Sequence, residues 1–87
     1  EEERLLILDF MVSEKTDITK LRLLFTEAMT KEPMILQEKP ISVEVDRLTP
    51  YHAKIIVKAW VKNKEYWPER THLLEQLKIC MEKKLCD

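Results

Sequence analysis

The feature that most constrains this chain is a stretch of strict alternation. Ala53, Ile55, Val57, Ala59 and Val61 are apolar, and Lys54, Ile56, Lys58, Trp60 and Lys62 stand between them. A period of two puts successive side chains on opposite faces of an extended strand. Just upstream, Ile41, Val43 and Val45 face one way while Ser42, Glu44 and Asp46 face the other, and Thr49-Pro50-Tyr51-His52 supplies a turn between the two segments. The two segments therefore predict an antiparallel hairpin with one covered and one open face. Setting Val45 opposite Ile55 and Val43 opposite Val57 matches the apolar sides and brings Asp46 to Lys54; a two-residue shift pairs Glu44 with Lys58 instead. Either register sets acids against lysines. Exposed pairs contribute about 0.2–1 kcal/mol each, which selects a register more than it holds a fold.

The remainder of the chain supplies the covering layer. Residues 5–12 are apolar except for Asp9 and too short for a typical helix, so they predict a strand buried on both faces or nearly so, in the centre of the sheet. In the polar segment 13–17, Thr16 or Asp17 can cap a helix. At 100° per residue from Ile18, the side chains Leu21, Phe25, Ala28 and Met29 share one face, and Pro33 marks the end of the helix. Leu23 stands on the opposite side. Residues 34–40 form a connector and 63–67 a polar and aromatic loop. Pro68 suits the first position of a second helix, where its missing N–H costs nothing. That helix runs to about Lys84, with Leu73, Leu74, Leu77, Cys80, Met81 and Leu85 as its apolar stripe; Glu69, Arg70, Glu75, Lys78, Glu82 and Lys83 fall largely outside it. The order β-α-β-β-α predicts an α+β fold, a ferredoxin-like two-layer sandwich whose final strand is missing or truncated. Residues 1–87 make a single domain, read as a fragment of a longer protein because no initiator Met precedes the first strand.

Composition narrows the function. A chain of 87 residues buries only roughly 60–65% of its unfolded surface, so its core is thin. At 45% hydrophobic and 36% charged it carries enough apolar material to fold. Fifteen Lys and Arg against sixteen Asp and Glu leave a net charge of −1, which provides no general basic field for nucleic acid. The charge is unevenly spread. Residues 1–44 hold ten acids and six bases, residues 45–87 six acids and nine bases, and the asymmetry implies complementary faces. Apolar runs never exceed four residues, far short of the ~20 that span a bilayer. Cys80 and Cys86, six apart on one helix, point in different directions and cannot easily bridge. Cys80 reads as a small buried hydrophobe and Cys86 as a frayed terminal thiol. With no disulfide framework and no signal-peptide pattern, a reducing cytoplasmic setting is expected.

Candidate chemistry is sparse. His52 and His72 are the only histidines, neither with ligands at metal-binding spacing, and His72 reads as a solvated partner of Glu69. The serines, Ser13 and Ser42, lie far in sequence from any His, so no nucleophile–base pair is expected. Phosphate cradles need glycine for close backbone approach, and the chain contains none. The face of Lys54, Ile56, Lys58, Trp60 and Lys62 has the look of an RNA-stacking platform, but its single Trp lies beside Glu44 and Asp46. Coverage of Trp60 by another part of the protein or by a neighbouring subunit is the stronger reading. No enzymatic activity, cofactor, metal or nucleic-acid partner is expected.

One resemblance spans nearly the whole chain. Thr16-Asp17-Ile18-Thr19-Lys20-Leu21, then Ile41-Ser42-Val43-Glu44-Val45-Asp46-Arg47-Leu48, Ile55-Ile56-Val57-Lys58-Ala59-Trp60-Val61, Tyr66-Trp67 and Leu73-Leu74-Glu75-Gln76-Leu77-Lys78 follow one another in that order. In order and spacing they resemble the C-terminal cytoplasmic α/β domain of the small-conductance mechanosensitive channel family. The family's usual continuation, a Gly-Ile turn into a proline-aromatic segment, is replaced here by Lys83-Lys84-Leu85-Cys86-Asp87. The resemblance implies a membrane protein with pore helices and a β-rich middle domain ahead of this one. This domain would hang on the cytoplasmic side of a bacterial inner membrane or of an organelle membrane of similar origin. Seven identical subunits would form the lower wall of a hollow vestibule through which ions and small osmolytes pass under osmotic stress. Within it, Leu23, Ile56, Trp60, Tyr66 and Trp67 are the expected contacts between subunits or with other domains. Glu44, Asp46, Lys54, Lys58 and Lys62 are the expected charged sheet face that sets ion preference. A soluble ferredoxin-like regulatory or metal-sensing domain, like the cytoplasmic tail of a cation diffusion facilitator, is the alternative; those tails begin with a helix and use several His and acidic ligands. A weak RNA platform is third.

Overall fold

The computed structural model describes residues 2–84. The elements are β1 (Glu3–Ser13), α1 (Ile18–Thr30), β2 (Ser42–Leu48), β3 (His52–Lys62), a 3₁₀ turn (Asn63–Glu65) and α2 (Tyr66–Lys84). They form the α+β architecture that the alternating periods predict, a three-stranded antiparallel sheet in the order β1-β3-β2. Both helices pack on the same face. A final strand beyond residue 84, like Leu85 of the apolar stripe and the thiol of Cys86, lies outside the described residues.

β3, with its strict alternation, occupies the centre. Ala53, Ile55, Val57, Ala59 and Val61 are all buried, and the residues between them are not. β1 is therefore an edge strand, not the central one. It is buried on one face only: Leu6, Leu8, Phe10 and Val12 point inward, whereas Ile7 and Met11 are 42% and 60% exposed. The apolar run hides a period of two because the outward positions of β1 also carry apolar side chains.

Register confirms the first of the two hairpin pairings, then breaks. Val43 faces Val57 and Val45 faces Ile55, after which a bulge places Arg47, not Asp46, opposite Lys54. The extra residue turns the strand, as bulges do. Of the expected inward trio only Val43 is buried; Ile41 is half-buried and precedes the strand, and Val45 is 37% exposed.

α1 begins where Asp17 Oδ1 accepts a hydrogen bond from the Lys20 N–H at 3.0 Å, a side-chain cap on an otherwise orphaned donor. It ends at Thr30, three residues ahead of Pro33, because a proline disfavours helical geometry in the residue before it. The Met29 carbonyl accepts a bond from the Glu32 N–H at 3.2 Å and a second from Gln37 Nε2 at 3.0 Å. Leu21, Phe25 and Met29 are fully buried, with Ala28 packed beside them. Phe25 meets Phe10 of β1 with tilted rings 5.4 Å apart, a favoured aromatic geometry.

α2 starts at Tyr66, directly after the 3₁₀ turn, so residues 63–67 are not a loop. Pro68 is the third helical residue, not the first; it still lies in the opening turn, where N–H groups have no intrahelical acceptor. Leu73 and Leu77 reach the core, and Leu74, Cys80 and Met81 pack half-buried against it. Glu69 breaks the expectation that it faces solvent: it is 3% exposed. The segment between α1 and β2 is fastened to the sheet by Ile35, buried and bridged to Val61, and by the Leu36 N–H donating to the Trp60 carbonyl at 2.8 Å.

Candidate assembly surface

Because both helices cover one face, the other is bare. Its centre is the outward row of β3: Lys54, Ile56, Lys58, Trp60 and Lys62. Cross-strand register sets Met11 beside Lys54, Asp9 beside Ile56, Ile7 beside Lys58 and Leu5 beside Trp60 on the β1 side. On the β2 side, Glu44 is beside Ile56 and Ser42 beside Lys58. Leu5, Trp60, Ile7, Ile56 and Met11 thus form an apolar diagonal framed by charges.

Those charges are paired. Lys54 Nζ lies 3.5 Å from Asp9 Oδ2 and 4.0 Å from Asp46 Oδ2, and Lys58 Nζ lies 3.7 Å from Glu44 Oε1. The bulge removes Asp46 from its expected place opposite Lys54, yet the long lysine still reaches it. Glu44 meets Lys58 across the diagonal, so one register yields both pairings that sequence offers as alternatives. Glu44, Asp46, Lys54 and Lys58 are therefore brought together. Lys62 stands apart, lining a shallow hollow with Glu2, Asn63 and Lys64. Trp60 is half-buried; Lys39 Nζ sits 5.1 Å from its ring centroid and is held by Glu3 at 2.7 Å. A cation over an indole face is attracted by the ring quadrupole.

The five expected contact residues do not form one surface. Ile56 and Trp60 share the bare face. Leu23 is 68% exposed on the outer side of the helical layer. Tyr66 and Trp67 stack edge to face with centroids 4.9 Å apart at the start of α2. Arg4 lies over both rings, 3.7 Å from the Tyr66 centroid and 5.7 Å from that of Trp67. Arg4 shares the inward parity of Leu6 and Leu8, which assigns this aromatic corner to the helix side of the sheet.

A further cluster escaped sequence reading. His72 Nε2 lies 3.3 Å from Glu32 Oε2, not beside Glu69 in solvent, and Glu69 turns inward, 3% exposed, near Glu32. Burial pushes the Glu69 carboxyl up to about 8, aided by the hydrogen bond to Glu32 and by the negative charges of Glu32 and Glu65. The signal was spacing: Glu69 precedes Leu73 by four residues and Leu77 by eight, on the same helical face. Among the described residues, no three His, Cys, Asp or Glu side chains gather closely enough to hold a metal ion. No described helix is long and apolar enough to cross a membrane.

Comparison with known proteins agrees with this fold. A search among curated proteins finds no match for the chain. The crystal structure of Helicobacter pylori MscS in its closed state superimposes with a TM-score of 0.88 at 14% identity, covering 97% of this chain and 34% of that one. The cryo-EM structure of Arabidopsis thaliana MSL1 superimposes with a TM-score of 0.82 at 10% identity, covering 95% of this chain and 32% of that one. At such identities the likeness establishes the fold, and the chain spans about a third of each of these structures. The model of the family described as mechanosensitive ion channel MscS, C-terminal, matches residues 6–85, starting at the first inward leucine of β1. By that match, the chain belongs to the MscS mechanosensitive ion channel family, whose C-terminal domain it represents.

Proposed function

We propose that this domain is a passive wall panel of a channel vestibule on the cytoplasmic side of the membrane. Identical subunits, seven in the complete assembly, would enclose a space through which ions and small osmolytes reach a tension-gated pore. The observation that carries this reading is the bare face of the sheet. An apolar diagonal of Leu5, Ile7, Met11, Ile56 and Trp60 flanked by matched ion pairs is a surface that a neighbour covers at low desolvation cost. Trp60 and Ile56 are its anchors, with Leu23 and the Tyr66–Trp67 corner as separate contacts to neighbouring domains. Glu44, Asp46, Lys54, Lys58 and Lys62 tune ion preference wherever the charged rows face the cavity. The panel performs no chemical step. The membrane would be a bacterial inner membrane or an organelle membrane of the same descent.

Native mass measurement of the full-length protein tests the assignment. Trp60→Ala is expected to shift the population from heptamer toward smaller species, since large aromatic anchors dominate interface energy. An unchanged heptamer population would remove Trp60 from the interface.

A further inference from the structure

The junction between α1 and α2 holds a group that vestibule packing does not explain. Glu69 is 3% exposed, and the side chain of Glu32 is 12% exposed. Glu32 Oε1 and Glu69 Oε2 are both buried and find no donor among the described residues. Two ionised carboxylates offer each other only lone pairs, whereas a single proton between them converts the contact into an O–H···O bond. Glu32 Oε2 is already engaged by His72 Nε2 at the solvent side.

Glu32 is also the hub of the segment that follows α1. Its carbonyl accepts from the Ile35 N–H at 3.3 Å and from Gln37 Nε2 at 3.3 Å. From there the Leu36 N–H reaches the Trp60 carbonyl, and Lys39 lies over the Trp60 ring. A short series of contacts thus joins Glu32 to the bare face of the sheet.

We propose that Glu32 and Glu69 form a proton-operated latch, in which a proton shared by the two carboxyl groups ties residues 31–39 to α2 and its loss frees that segment from Trp60. Charged groups of both signs surround it. Glu65 of the 3₁₀ turn adds negative charge and favours the protonated pair. Glu27 of α1, Lys31 and Lys83 of α2 line the neighbouring interhelical groove with Glu32, and Lys62 and Lys64 line a hollow with Glu65, Pro33 and Leu36. Arg4 is occupied by the aromatic rings at the start of α2.

The sign follows from linkage. The closed latch holds its proton up to about 8, while an exposed glutamate releases it near 4.5. Between those values the open form binds fewer protons, so raising the pH favours opening; below them the closed form is at its most favoured, and above them the effect saturates. In ¹⁵N-resolved hydrogen exchange on this chain, protection factors at Ile35 and Leu36 are expected to fall about tenfold per pH unit across that window, then level off. Glu69→Gln, whose amide donates permanently to Glu32, is expected to flatten the profile, and His72→Gln to keep it. Carboxyl ¹³C titration of the unmodified chain should place a midpoint near 8 at Glu69. A profile that is flat in the unmodified chain overturns the latch. So does one that persists in Glu69→Gln and vanishes in His72→Gln. All these readouts lie within the chain and stand whether or not the Trp60 face is a subunit contact.

Discussion

Phe25 and Leu23 stand two residues apart on α1 and have opposite fates. Phe25 is 0% exposed against Phe10 and Leu23 is 68% exposed. Removing the Phe25 ring deletes buried area and leaves a cavity, so Phe25→Ala should cost about 3–5 kcal/mol in urea unfolding, while Leu23→Ala should stay within about 0.5 kcal/mol. Equal losses would mean that Leu23 is covered. Periodicity alone separates these two residues, because both lie on a well-formed helix whose inward arc is wide and consistent. It fails at Glu69, where a charged side chain occupies an inward position; polarity argued for solvent and spacing for the core, and spacing wins because a partner shares the proton. That partner, Glu32, lies thirty-seven residues earlier in the chain. No local pattern could have paired them, and the same distance explains why His72 seemed to belong to Glu69.

Elements were more legible where a cap or a period marked them than where only hydrophobicity did. The start of α1 is written in Asp17, whose side chain takes up the Lys20 N–H. Asp17→Ala should therefore cost about 1 kcal/mol of stability, and Asp17→Asn much less, by the same urea titration. A loss below about 0.3 kcal/mol for alanine would mean that the helix starts on packing alone. β3 is equally legible, because five small or branched apolar residues in strict alternation fit only a strand covered on one side. β1 is not. Its run of apolar residues looks like a doubly buried central strand, and the outward Ile7 and Met11 erase the alternation that would have marked it as an edge. Strand order is a long-range property, fixed when β3 can pair with both neighbours and β1 with only one. The bulge between Val45 and Arg47 coincides with a break in the alternation, since Asp46 and Arg47 are consecutive polar residues ahead of Leu48, but only the pairing partner shows that one of them is extra.

At the scale of the whole molecule, the uneven charge of the two halves of the chain resolves inside the sheet. Acids from the first half meet lysines from the second: Asp9 pairs with Lys54 and Glu44 with Lys58. The bare face is thus nearly neutral yet patterned, with an apolar diagonal that neither helix covers. Adjacent residues of β3 separate folding from assembly, since Ile56 and Val57 point to opposite sides. Val57 is 0% exposed in the core, and a lysine there would bury an unpaired ammonium, so Val57→Lys should unfold the chain. Ile56 lies between Asp9 and Glu44 across the two neighbouring strands, so a lysine at that position gains acidic partners and the fold should hold within about 1 kcal/mol. The same Ile56→Lys replacement interrupts the apolar diagonal beside Trp60. In the full-length protein, folded subunits should then remain while the oligomer weakens, with circular dichroism unchanged and the native mass distribution shifted to smaller species. Loss of fold in Ile56→Lys would mean that the diagonal is part of the core. An intact oligomer would mean that neighbours meet elsewhere, at Leu23 or at the Tyr66–Trp67 corner.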